Sequence, residues 1–194
     1  MSDLQLHVLS KMPSYDDGTD SPLAQTHCYI TTHDKDGKAV FHTPRNGTEI
    51  VSPKRLGPAA FNVHYTTQEN PVSFKDDRDL RAFYEQPTPI PISLKGGSVV
   101  RMVDLAPGEQ SPMHRTSSLD YGVVLEGSMV LILDDYERGP RRTMKVGDVS
   151  IQRGTMHAWR NASTTNWARM LYVLLESEVL DGQEEDHAGI ELPK

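Results

Sequence analysis

The chain is poor in the features that would send it to an oxidising compartment, a membrane or a nucleic acid. It has one cysteine, Cys28, in 194 residues, so no internal disulfide can form. A lone Cys reads first as a small buried hydrophobe rather than a nucleophile. There is no Cys-x-x-Cys pair and no Cys/His zinc spacing. No segment approaches the roughly 18 consecutive apolar residues of a membrane span. The opening stretch, MSDLQLHVLSKMPSYDDGTD, is polar and acidic and has no apolar signal core. These absences lead to the expectation of a cytoplasmic protein without a membrane partner. Positive charge is also short: 20 Lys and Arg stand against 27 Asp and Glu, a net charge of −7. Phosphate contacts need a basic surface, so nucleic acid is not an expected partner. Asn-x-Ser/Thr triplets at Asn46 and Asn161 read as chance without a secretory signal.

What the chain does contain is a series of short strand signals. Length is sufficient for one domain with a real core and additional arms, but not for two. Residues 27–43 read as a hairpin, with Cys28–Thr32 and Ala39–Thr43 flanking an Asp-Lys-Asp-Gly turn. Phe61–Thr67 alternates and reads as a strand. Asp76–Tyr84 is the convincing helical stretch of the first half, with its Asp residues placed to cap it. It ends before Pro87, Pro89 and Pro91. From Gly97 to Leu175, short apolar runs alternate with Gly, Pro and Asp. Val99–Leu105, Tyr121–Leu125, Met129–Leu133, Val149–Gln152 and Met170–Leu175 read as strands of an all-β sandwich or barrel. The tail beyond is acidic and reads as a solvated face.

Two segments carry the functional reading: PGEQSPMHRTSSLDYGVVLEG, from Pro107 to Gly127, and GDVSIQRGTMHAWRN, from Gly147 to Asn161. Together they resemble the two motifs of the cupin superfamily. Gly108 and His114 have the spacing of the first motif, and Gly127 closes it. Thr116 stands where the family's second His would be, and Asp120 where its Glu would be. Gly147, Asp148, Gly154, His157 and Asn161 supply the second motif, with Arg153 in place of the usual Pro. The resemblance covers residues 97–176. It implies a double-stranded β-helix (jelly-roll) barrel, with a strand-rich N-terminal extension over 1–96, one or two short helices, and an acidic tail over 177–194.

Strand alternation then turns His114 and Thr116 to one side. Asp120, Gly122 and Val124 share a face if Asp120 points inward, while Tyr121 faces out. His114, Asp120 and His157 come from separate strands or strand ends, and two imidazoles with a carboxylate form a facial set for a divalent metal. Iron, manganese, nickel and zinc are the metals considered. A metal-free pair, with His114 or His157 as general acid or base, is the second reading. Satisfied core histidines are the third. Asp120 has a structural alternative in pairing with Arg101, Arg115 or Arg153. Arg115 and Arg153 are expected at the substrate through their guanidinium forks, with Thr116 beside them and Trp159 at the cavity mouth. Rim salt bridges and core packing are the plain alternatives. His42 and His64 read as ordinary surface or core residues.

The wording of the two motifs also resembles a narrower group, the small cupin-domain oxidoreductases of fungal polyketide and salicylaldehyde-type biosynthetic clusters and their bacterial relatives. That implies a small, partly apolar substrate with carbonyl and hydroxyl groups. The reaction stays open between metal-dependent oxidation and metal-free dehydration, isomerisation or decarboxylation. A ligand-binding barrel without turnover and a storage scaffold are the non-enzymatic alternatives. A homodimer is expected, because small cupins often add N-terminal strands to a neighbouring sheet.

Overall fold

A computed structural model describes residues 21–43, 50–51, 54–56, 59–87 and 90–179. The N-terminal stretch through Asp20, the Asn46 triplet and most of the acidic tail lie outside these residues.

The regular structure of the described chain is almost all antiparallel strand. The first five are short: β1 (Thr26–His27), β2 (Thr31–His33), β3 (Ala39–Phe41), β4 (Ile50–Val51) and β5 (Lys54–Leu56). Then come β6 (Ala59–Thr67), a 3-10 turn (Lys75–Asp77) and helix α1 (Arg78–Glu85). The barrel strands follow: β7 (Ser98–Leu105), β8 (Ser118–Glu126), β9 (Ser128–Leu133), β10 (Arg141–Lys145), β11 (Val149–Arg153), β12 (His157–Asn161) and β13 (Ala168–Glu176). They form a large sheet in the order β11-β8-β13-β7-β6-β5 and a small sheet in the order β10-β9-β12. The N-terminal segment thus extends the barrel's own large sheet through β6 and β5. The expected hairpin is present, as β2 paired with β3. Its turn is held by the Asp34 carboxylate, which accepts from the amides of Asp36 and Lys38 at 2.9 Å each.

The two sheets close over one core. Val124, Met170, Ala168, Leu105 and Ala59 come from the large sheet, and Met129, Met144 and Trp159 from the small one. Side chains that alternate inward on both sheets interdigitate there, as two packed β layers require. Gly127 joins β8 to β9 with φ +72°, and a Cβ there would lie 2.9 Å from the Ala168 Cβ. Only glycine meets both demands. Asn161 is buried, and its Nδ2 donates to the carbonyls of Leu105, Ala106 and Asn166. The triplet at Asn161 is therefore structural.

The outer face of the large sheet carries a buried ion pair. Asp104 and Arg169 are cross-strand partners on β7 and β13. The guanidinium donates to both carboxylate oxygens at 2.6 Å, and a third donor reaches the Ala24 carbonyl at 2.7 Å. This clamp ties the N-terminal segment to the barrel. His64 is buried beside Arg169; burial, then the Arg169 charge, holds its imidazole below the usual range. His42 packs against Tyr84 of α1.

Two local expectations are corrected. Asp76 and Asp77 do not cap α1 with their side chains; both adopt left-handed backbone, and neither makes a capping hydrogen bond. Strands β10 and β12 were not foreseen. β10 shows solvent four of its five residues, so it has no apolar alternation to read.

Candidate active site

The centre of the barrel is a pair of histidines on one main-chain bridge. His114 lies on the segment before β8, and His157 opens β12. Their amides and carbonyls exchange two hydrogen bonds of 2.8 Å. The ring centroids lie 4.2 Å apart, tilted by 49°.

Both rings are fixed by the same device. The Nδ1–H of His114 donates to the Pro112 carbonyl, and that of His157 to the Thr155 carbonyl, each at 2.9 Å. A carbonyl can only accept, so Nδ1 carries the proton and the neutral ring has its lone pair on Nε2. His157 is 3% exposed. Burial, then the neighbouring His114, pushes its pKa down to about 3, with the Thr155 hydrogen bond opposing. It is therefore a neutral base at physiological pH.

Asp120 faces inward from β8 but belongs to a different group. Ser118 donates to one carboxylate oxygen, and Thr116 to the other at 3.3 Å. Burial pushes the carboxyl upward, against the two hydroxyl hydrogen bonds and the charge of Arg101. Of the three arginines expected as partners, Arg101 is the one whose charge reaches it. Arg101 itself is buried on β7, and its Nη2 donates to the carbonyls of Pro91 and Ile92 at 2.6 and 3.1 Å. Burial lowers its pKa to about 10.

The other expected residues separate by position. Thr116 is buried and lines a small open recess with Ser117, Arg153, Gly154, Ser177 and Glu178. Arg153 is exposed on this rim, and Arg115 is half-buried. Trp159 lies in the core instead of at a mouth, edge-on to His157 at 6.2 Å and to Tyr172 at 5.7 Å. Tyr121 points outward and is 39% exposed.

One inward-facing residue was not singled out from the sequence. Gln152 pairs with Asp120 across β11 and β8 and is buried. Its Nε2 donates to the Thr155 hydroxyl at 2.7 Å, and the carbonyl of that same Thr155 holds the His157 ring. The signal was an inverted alternation: on β11, Val149 and Ile151 face solvent while Ser150 and Gln152 face the interior. A strand that turns its polar side inward serves something other than packing.

The donor set does not fit a resident metal held by three protein side chains. Among the described residues, no three His, Cys, Asp or Glu are grouped to hold an ion. The expected convergence of His114, Asp120 and His157 stops at the two imidazoles. Asp is one methylene shorter than Glu, and Thr116 and Ser118 engage both of its oxygens.

Sequence relatives agree with this architecture. The chain is 44% identical over 156 residues to the phomopsin biosynthesis cluster protein C' of Diaporthe leptostromiformis, covering 79% of each. A family model described as Cupin domain matches residues 101–174. The chain belongs to the cupin family. A second cupin relative is the cupin-domain-containing oxidoreductase virC of Hypocrea virens, 42% identical over 158 residues, covering 79% of this chain and 77% of that protein. Among solved structures, the cupin resembles recombinant oxalate oxidase in complex with glycolate, with 25% identity and a TM-score of 0.36, over 42% of this chain and 43% of that one. Its relatives thus include fungal biosynthesis-cluster proteins, some named as oxidoreductases. Among the described residues, no helix is long and apolar enough to cross a membrane.

Proposed function

We propose that this cupin is a tailoring enzyme of secondary metabolism that moves a proton on a small carbonyl compound inside its barrel. The observation that carries the proposal is the His114–His157 pair, with both Nδ1–H groups committed to carbonyls. Two imidazoles this close do not both hold charge in a buried site. The pair therefore takes up one proton at a time. A neutral Nε2 removes a proton next to a substrate carbonyl, and the protonated ring returns it elsewhere on the substrate or to a leaving hydroxyl. Isomerisation and loss of water both follow this course. The test is α-hydrogen exchange of small hydroxyketones in D₂O, followed by NMR. Exchange accelerated by the wild type and lost in His157→Gln is expected. Exchange that the protein does not accelerate would refute the proposal.

A metal-dependent oxidoreductase is the second reading. A ring Nδ1–H on a backbone carbonyl is also the arrangement that orients ligating histidines, and some relatives are named as oxidoreductases. Iron, manganese, nickel or zinc would need further donors beyond the two imidazoles. Near-stoichiometric metal in protein purified without chelators, lost in His114→Ala, would favour this reading. A homodimer belongs to the proposal as well. The exposed apolar Val149 and Ile151 on the terminal strand of the large sheet support it. A strictly monomeric mass in sedimentation at micromolar concentration would count against it.

A further inference from the structure

The turn between β11 and β12 runs through Gly154, Thr155 and Met156, and it sets where the His157 ring points. The backbone bends at Gly154, whose φ is +58°. Thr155 is exposed on this turn, yet its carbonyl holds the Nδ1–H of the buried His157 ring. A surface turn is a loose support for a buried base, because connecting segments move more than the strands they join. Main chain pins its far end. The Asp134 amide donates to the Met156 carbonyl at 3.1 Å, and the His157 amide to the His114 carbonyl at 2.8 Å.

Thr155 itself is held from the interior by a side chain. Nε2 of the buried Gln152 donates to its hydroxyl at 2.7 Å. Gln152 stands on β11 opposite Asp120 of β8, so this bond ties the turn to the large sheet. Threonine is β-branched and stiff at χ1. Fixing its hydroxyl therefore fixes its Cα and limits the rotation that would swing its carbonyl away. Two hydrogen bonds, of 2.7 and 2.9 Å, thus connect Gln152 to the His157 ring through one residue. His114 has a separate support. The Pro112 carbonyl that holds its Nδ1–H also accepts from the Ser111 hydroxyl at 3.0 Å, and that hydroxyl accepts from the Trp159 amide at 2.9 Å. Gln152 takes no part in these bonds.

We propose that Gln152 is a positioning residue for His157: through Thr155 it keeps the ring proton on Nδ1 and the lone pair on Nε2. The hydrogen bond made at one ring nitrogen decides which nitrogen carries the proton. Once the Thr155 carbonyl is released, a share of the molecules carries the proton on Nε2 instead. Those molecules have no base at the working atom. This role accounts for an amide turned inward on β11 beside Asp120. It rests on the reading above that Nε2 of His157 removes the substrate proton, and it adds what keeps that atom ready.

Long-range proton–nitrogen correlation spectra of the full chain, labelled at its histidine nitrogens, read the tautomer of each ring. His114→Gln and His157→Gln assign the two signals. Both rings should be Nδ1–H in the wild type. Gln152→Met should shift His157 toward the Nε2–H pattern and leave His114 unchanged. Thr155→Val cuts the same bond from its exposed end and should do the same, so the test does not depend on a buried substitution. Thr155→Ser keeps the hydroxyl and should keep the wild-type ring pattern. Exchange of the α-hydrogens of hydroxyacetone in D₂O should fall about ten- to a hundredfold in Gln152→Met and in Thr155→Val. The double variant should fall no further than either single change, since both cut one bond. An unchanged His157 ring in Gln152→Met and Thr155→Val overturns the positioning role. Equal changes in both rings overturn it too, because they mark a general loosening of the barrel. If the wild type accelerates no exchange, the proton-transfer reading falls, while the ring spectra still decide whether Gln152 sets the tautomer.

Discussion

His114 and His157 face each other across two backbone hydrogen bonds, with their rings 4.2 Å apart and each Nδ1 held by the carbonyl two residues earlier. Main-chain hydrogen bonds hold both the backbone and the ring of each member of the pair. Substituting either ring should therefore remove chemistry before it removes the fold. His157→Gln and His114→Gln are each expected to lower turnover by about 10² to 10⁴-fold. Circular dichroism should show little change in the barrel. Loss of the β signal in both variants would instead mark the pair as structural.

Burial of neutral His157 links stability to pH. Its folded-state pKa is about 3, against the ordinary 6.5. Between these values the unfolded chain binds a proton that the folded chain does not. The contribution is fully present above the ordinary value and is lost as pH falls toward the folded one. Its slope is at most about 1.4 kcal/mol per pH unit. Asp120, with its pKa raised, acts in the opposite sense and loses stability as pH rises through its folded value. Comparing wild type with His157→Gln isolates the histidine. In urea titrations at about pH 4.5 and about pH 7.5, the wild type should lose more stability on acidification than the variant. Equal losses would show that His157 is not held neutral.

The Asp104–Arg169 pair is buried on both sides. Asp104→Asn leaves the guanidinium without its counter-charge and should cost about 3 to 5 kcal/mol. Because Arg169 also holds the Ala24 carbonyl, amide exchange near residues 24–28 should rise in the same variant. Unchanged urea midpoints would refute the assignment.

Gly127 and Gly37 have similar left-handed backbone, at φ +72° and +77°. A Cβ at Gly37 meets nothing within 4 Å, whereas one at Gly127 meets Ala168 at 2.9 Å. Gly37→Ala should cost only the backbone preference, about 1 to 2 kcal/mol. Gly127→Ala should lower the melting temperature further, since Ala168 is fixed in the core. Equal shifts would show that the turn, not the packing, sets the requirement.

The barrel was legible because its glycines, its strand signals and the two histidines lie at spacings that the chain cannot disguise. The Asp-Gly hairpin and β6 were read for similar local reasons. The polar interior was harder. Gln152 and Arg101 matter through cross-strand register, which no single strand displays. Asp120 was placed on the correct face, but its hydroxyl partners depend on the side chains of Ser118 and Thr116 folding back onto it. Trp159, two residues beyond His157, read as a mouth residue with core packing as its alternative. The pairing of β12 with β9 carries it into the core instead.

The main-chain bridge between His114 and His157 also bears on how such a barrel changes over evolutionary time. Its two hydrogen bonds are made by peptide groups, and peptide groups persist whatever side chain is attached. A lineage can exchange one imidazole for another reactive group and still present it at the same point in the same orientation. The site is then a socket whose contents can be replaced while the mounting is inherited.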